Sequence, residues 1–105
     1  MIEPLRGQAW FVDIPRVGEK PVVIVSNNAR NRALQTVLAV RVTTAPKPAM
    51  RTIIELSGED PLVGRAMCDD ILMIPKSRLK RRAGALARPS MAKIARGLKA
   101  ALALE

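Results

Sequence analysis

The sequence predicts a mainly β fold with some α: a small, strongly curved antiparallel barrel carrying a carboxy-terminal amphipathic helix. Three observations predict it. Short apolar runs of strand length recur between Pro, Gly and Asn turns. One of them, Val22 to Val25, is an unbroken run of branched residues, which implies a strand covered on both faces. The last segment then switches to helical spacing.

Each element follows from local pattern. "QAWFVDI" (8–14) reads as a first strand, ended by Pro15 and Gly18. "KPVVIVS" (20–26) is the central strand. "NNARNR" (27–32) is a loop or a single helical turn. "QTVLAVRVTT" (35–44) is the third strand, and "APKPAMR" (45–51) a proline-containing loop. "TIIELS" (52–57) is the fourth strand, followed by a "GEDP" turn. "GRAMCDDILMIP" (64–75) is a fifth strand expected to bend or bulge near Asp69–Asp70. "KSRLKRRAGAL" (76–86) is irregular and basic, with room for one short strand. In "RPSMAKIARGLKAALALE" (88–105), Pro89 suits a first helical position. Met91, Ile94, Leu98 and Leu102 form the apolar stripe, and Lys93, Arg96 and Lys99 lie away from it. Gly97 costs this helix a little.

The 105 residues fit one domain, 1–105, and 49% hydrophobic content supports a packed core. Trp10 and Phe11 are the only aromatics, so that core is aliphatic. Eighteen Lys and Arg against nine Asp and Glu give a net charge of +9, which favours a polyanionic partner such as RNA. Such basicity also serves solubility alone. Cys68 is the single cysteine, which excludes an intrachain disulfide. It is expected to be an inert core thiol. With no histidine, a zinc site is not expected, and no Ser-His-Asp triad, Cys-His pair or His-His ribonuclease centre is available. "MIEPLRGQ" lacks the apolar run of a signal peptide, and no stretch has transmembrane length, so the expected setting is the cytoplasm with no membrane partner.

Strand alternation sorts the candidate residues. Ala39, Arg41 and Thr43 share one face, and Val40, Val42 and Thr44 the other. A guanidinium beside a hydroxyl can hold a phosphate; the same pair also reads as an edge charge next to a good strand former. Asp69 and Asp70 point oppositely in a regular strand, so one of them needs a partner. That partner is an arginine, or the carboxylate serves a basic cleft. Lys20 and Arg16 could line a phosphate path or be solvated loop charges. Arg78, Lys80, Arg81 and Arg82 form the densest basic run, either solvated surface or an electrostatic funnel. The segment "SNNARNR" is too polar for a plain turn. It faces something anionic, or it is a helical turn capped by Asn27.

Four stretches in order resemble the MazF/PemK toxin endoribonucleases of bacterial toxin–antitoxin systems. "LRGQAWFVDI" is similar to the family's "RGxxWxVD", and "KPVVIVSNNARNR" to "RPxVVVSxDxxN". "VLAVRVTT" is similar to "VxVxPITS", and "AMCDDILMIPKSRL" to "xxxxDQIxxxDKxRL". The resemblance implies an SH3-like barrel of the MazF/PemK/CcdB type and a homodimer with RNA in a groove between protomers. It implies metal-independent cleavage by 2′-hydroxyl attack, without a cofactor, and a cognate antitoxin whose acidic tail covers the groove. Thr43 falls on the threonine of "ITS", Lys20 on a family arginine and Asp69 on the first residue of "DQ". Met67 stands where some members have arginine, so Arg41 or Arg65 would supply the missing cation. The catalytic set is then Thr43, Lys20, Asp69 and Arg41. The RNA-binding set is Arg16, Asn27, Asn28, Arg30, Arg32, Thr44, Arg65 and Arg78, with 27–32 lying beside Lys20 and Thr43. The short "IPRVGEKP" loop leaves the groove open and suits tRNA or another structured RNA better than a bare single strand of mRNA. Two rivals stand: a gyrase-poison type of the same fold, disfavoured by the absence of a carboxy-terminal tryptophan, and a degenerate RNA-binding member without catalysis.

Overall fold

The unbroken apolar run 22–25 lies in the middle of the molecule, in a computed structural model that describes residues 3–104. The chain forms β1 (Gln8–Ile14), β2 (Gly18–Ile24), α1 (Asn28–Ala33), β3 (Thr36–Thr43), β4 (Ile53–Glu55), β5 (Arg65–Pro75), β6 (Leu79–Ala85) and α2 (Arg88–Ala101). A 3-10 turn, Lys76–Arg78, joins β5 to β6. The strands make one antiparallel sheet in the order β4-β5-β3-β2-β1-β6, and the sheet curls into the barrel expected.

Alternation along β2 explains why its apolar run is continuous. Val22 and Ile24 join Trp10, Val12, Val37, Ala39 and Ile74 on one face. Val23 and Val25 join Val40, Val42, Ala66, Cys68 and Ile94 on the other, beneath α2. Both faces of the strand are therefore dry. Helix α2 supplies Ile94, which is fully buried, and approaches the sheet closely at Gly97. A Cβ there would sit 2.8 Å from Cys68 Sγ and 3.3 Å from the Arg51 carbonyl. The glycine that weakens the helix locally is thus what lets the helix dock.

The ends of α2 hold two surprises. Its N-cap, Ala87, has no capping side chain. The carboxylate of Asp60 does the work from a distant turn, accepting from the Ala87 N–H at 2.8 Å and from the Ser90 hydroxyl at 2.6 Å. Asp60 also accepts from the Ser57 N–H at 2.7 Å, so one side chain closes the "GEDP" turn and caps the helix. At the other end the helix stops at Ala101. Leu102 is 54% exposed, which removes it from the expected apolar stripe.

Two further differences have local causes, and one expected irregularity is found. β4 is only three residues long, an edge strand paired on one side with β5. β6 is longer than the short strand expected from 76–86. Its bonds come from β1, with two register shifts, although its exposed cations hide any alternation. The expected bend in β5 is a multi-residue bulge: Val40 pairs with Ile71 but Arg41 pairs with Met67, so residues 68–70 have no partner in β3.

Candidate active site

Pairing register brings three of the four expected catalytic residues onto one face. Val22 pairs with Arg41 and Ile24 with Ala39. Directly paired residues share a face, so Lys20, Arg41 and Thr43 project from the side that carries Trp10 and Val37. Extending the register by two residues sets Lys20 level with Thr43. Arg65 lies opposite Thr43 on the other neighbour, β5. Two cations from β2 and β3 and one from β5 thus surround a hydroxyl at the end of β3.

Arg41 is the most telling member. Its side chain is 31% exposed, and Asp70 Oδ2 lies 3.8 Å from its Nη1. Its Nε is buried and has no hydrogen-bond partner within the protein. A buried guanidinium N–H without an acceptor costs free energy, while the exposed part of the same group can still donate to an anion on this face. Arg65 is engaged already: Nε donates to Glu55 at 3.0 Å and NH1 to the Ala45 carbonyl at 3.4 Å. The Thr43 hydroxyl oxygen accepts from the Ala45 N–H at 3.1 Å, which leaves its own proton available to a ligand. Gly64 holds this corner tightly. Its φ is +121°, and a Cβ there would lie 2.2 Å from the Thr43 carbonyl oxygen.

The bulge brings Asp70, the second of the paired aspartates, to the Arg41 side. Asp70, not Asp69, faces Arg41. Asp69 is exposed and accepts from the Thr52 hydroxyl at 3.5 Å, toward the loop before β4. Simple alternation could not foresee this, because the unmatched residues 68–70 reset the faces. Cys68, next to them, is fully buried, and burial together with the charge of Asp69 pushes its thiol up to about 11.

The polar segment after β2 is a structural knot, and it sits elsewhere. α1 leaves β2 at Ile24, whereas Lys20 lies toward the strand's start; about 16 Å of strand separate Lys20 from Val25. The expectation that 27–32 lies beside Lys20 and Thr43 is therefore corrected within one chain. Asn27 caps α1 by accepting from the Arg30 N–H at 2.8 Å. Asn28 accepts from the Arg6 N–H at 2.7 Å. Arg30 donates to the Thr36 carbonyl at 2.9 Å and to its hydroxyl at 3.0 Å. Asn31 is fully buried: it donates to the Ser26 carbonyl at 3.0 Å and accepts from the Ser26 hydroxyl. Arg32 and Thr44 are exposed.

The remaining candidates frame the site. Arg16 is exposed at the tip of the β1–β2 turn, closed by the Val17 N–H on the Ile14 carbonyl at 3.0 Å. Its φ of +67° is the left-handed conformation normally left to glycine. Arg78 lines a cleft of about 270 Å³ with Val12, Ile14, Leu72 and Ile74. Within the basic run, Arg81 is committed to Glu19 at 3.1 Å and to the Phe11 ring at 4.0 Å. No helix among the described residues is long and apolar enough to cross a membrane.

Fold and site together define a small curled β-sheet protein with a cationic, hydroxyl-bearing face suited to a phosphate. Residues 5–102 match the PemK-like, MazF-like toxins of type II toxin–antitoxin systems, and the chain belongs to that family. It is 40% identical to endoribonuclease MazF4 of Mycobacterium tuberculosis strain H37Rv over 104 residues, 99% of this chain and 97% of that one. A solved mycobacterial endoribonuclease in complex with its cognate antitoxin superposes with a TM-score of 0.92 at 40% identity, covering 97% of both chains. A MazE–MazF structure from Deinococcus radiodurans gives 0.84 at 18% identity over 97% of each chain, a likeness of fold.

Proposed function

We propose that this chain is an endoribonuclease toxin, a single domain that works as a homodimer in the cytoplasm and is neutralised by an antitoxin with an acidic tail. The observation that carries the reading is the partly exposed guanidinium of Arg41 on the face that also bears Lys20 and Thr43. Among the described residues, Asp70 at 3.8 Å is the one carboxylate paired with that guanidinium, which leaves donors to offer a phosphate.

The chemistry follows from those groups. The scissile phosphate sits against Arg41 and the Thr43 hydroxyl. The neighbouring 2′-oxygen forms a bond to phosphorus as the bond to the 5′-oxygen breaks, giving a 2′,3′-cyclic phosphate and a 5′-hydroxyl. Asp70, held near Arg41, accepts the 2′ proton. Lys20 stabilises the added negative charge and gives a proton to the leaving oxygen. Arg16, exposed on the β1–β2 turn, contacts a flanking phosphate. The tight β1–β2 turn leaves this face open, which supports a tRNA-like or other structured substrate.

The test is incubation with total bacterial RNA in EDTA, followed by mapping of 5′-hydroxyl ends. New ends at one short motif are expected. Thr43→Ala should lower the rate by about 10²–10³, the usual cost of a donor to a developing oxyanion. A folded wild-type protein that yields no ends would refute the activity.

A further inference from the structure

β4 is an edge strand, and a cleft lies on each side of it. Ile53 pairs with Met67 and Ile54 with Ala66, so the two isoleucines face opposite ways. On the Ile53 side, a cleft of about 290 Å³ is lined by Lys47, Met50, Glu55 and Arg65, next to the candidate active site. On the Ile54 side, a second cleft of about 350 Å³ is lined by Arg51, Ile54, Lys93 and Arg96. Met50 borders the first and Arg51 the second. Consecutive residues of one loop therefore join the clefts around the edge of the sheet.

The second cleft is an unusual concentration of charge. Arg88–Ala101 contains Arg88, Lys93, Arg96 and Lys99 and not one acidic residue. Lys93 and Arg96 are a like-charged pair three residues apart, which opposes helix formation when nothing compensates it. No acidic side chain lines the cleft. Apart from Ile54 it offers no apolar anchor, and no aromatic on which a base could stack.

We propose that Lys93, Arg96 and Arg51 form a secondary site for the RNA backbone, where a substrate strand leaving the Thr43 face passes around the edge of β4. The inference rests on the endoribonuclease reading and extends it to substrates longer than the active site. Recognition there is of phosphate and not of sequence. An acidic peptide would also find the charge. The lining favours RNA, because such a peptide needs side-chain pockets for affinity and this cleft has almost none.

Arg51 makes a contact of its own within the protein, so the test changes only the two exposed helix residues. The double variant Lys93→Gln/Arg96→Gln is compared with the charge-preserving Lys93→Arg/Arg96→Lys. RNA binding is titrated against salt in a Thr43→Ala background, with deacylated tRNA as probe. Removing two phosphate contacts should make the log–log salt slope shallower by about 1.4. The affinity lost between 50 and 200 mM salt then shrinks roughly sevenfold. The charge-preserving variant should keep the original slope. In the active protein, cleavage of the long RNA should fall while that of a short oligonucleotide confined to the Thr43 face is unchanged. An unchanged slope overturns the site. So does full RNA affinity with weakened binding of a polyglutamate peptide, which would assign the cleft to a protein. If wild type cuts neither RNA, the endoribonuclease reading fails, and the slope still decides the cleft.

Discussion

Arg16 shows how much a single residue can reveal. A left-handed φ costs a non-glycine residue about 1–2 kcal/mol, and glycine would remove that cost. An arginine in that conformation, exposed on the turn beside the candidate face, is a reason to look for function. Arg16→Gly is expected to leave thermal stability equal or higher and to weaken RNA binding, with the salt slope reduced by about one contact. Loss of stability without loss of affinity would make the residue purely structural. The aspartates separate in a similar way. If Asp70 takes the 2′ proton, Asp70→Asn should lower single-turnover cleavage by about 10²–10⁴, and Asp69→Asn should change it little. Equal effects would show that the Arg41–Asp70 geometry is not the one used. Alternation in the sequence is enough to place Arg41 and Thr43 together, because β3 is regular there. It fails for Asp69 and Asp70: adjacent carboxylates mark a bend there, but residue type does not say how many residues the bulge leaves unpaired, and that number decides which aspartate faces Arg41.

Elements were legible where burial is two-sided and obscure where bonding alone sustains them. β2 announces itself through Val22–Val25, since both of its faces are covered. β6 does not, because it is an edge strand whose arginines and lysine face water while β1 supplies the hydrogen bonds. α1 was readable in outline from the capping asparagine, yet the burial of Asn31 needed the fold to show it. Gly97, a weakness of α2 on helix propensity alone, is its point of contact with the sheet. Gly97→Ala should raise intrinsic helix propensity and still destabilise the protein by about 1–3 kcal/mol, because the methyl group meets Cys68 Sγ and backbone. Chemical denaturation measures it directly. The companion Gly97→Ala/Cys68→Ala should recover part of the loss if the clash is with sulfur. Cys68 itself should resist alkylation in the native state at neutral pH.

At the scale of the whole molecule, excess positive charge and the docking of α2 pull against each other. The net charge of +9 favours a polyanion and works against compaction. The helix that carries four of the cations is tied to the turn before β5 by one carboxylate, Asp60. Burial alone would raise the Asp60 pKa. Hydrogen bonds from Ser90, Ala87 and Ser57 outweigh it and hold the group below its ordinary value of 3.8. The sign follows: a depressed folded-state pKa contributes stability that is complete above the ordinary carboxylate range. It is lost as pH falls through the folded-state value. Over the same interval the other carboxylates protonate, leaving eighteen cations uncompensated. The protein should therefore lose stability steeply in acid, beginning near pH 4. Asp60→Asn should be less stable at pH 7, by about 0.5–2 kcal/mol if its loss resembles that of a helix cap. It should also show a shallower fall between about pH 4 and 2 than the wild type. Urea denaturation across that range, followed by far-UV circular dichroism, measures both. Parallel wild-type and Asp60→Asn curves would mean that acid acts through general repulsion and that the Asp60 tie to α2 carries no pH dependence of its own.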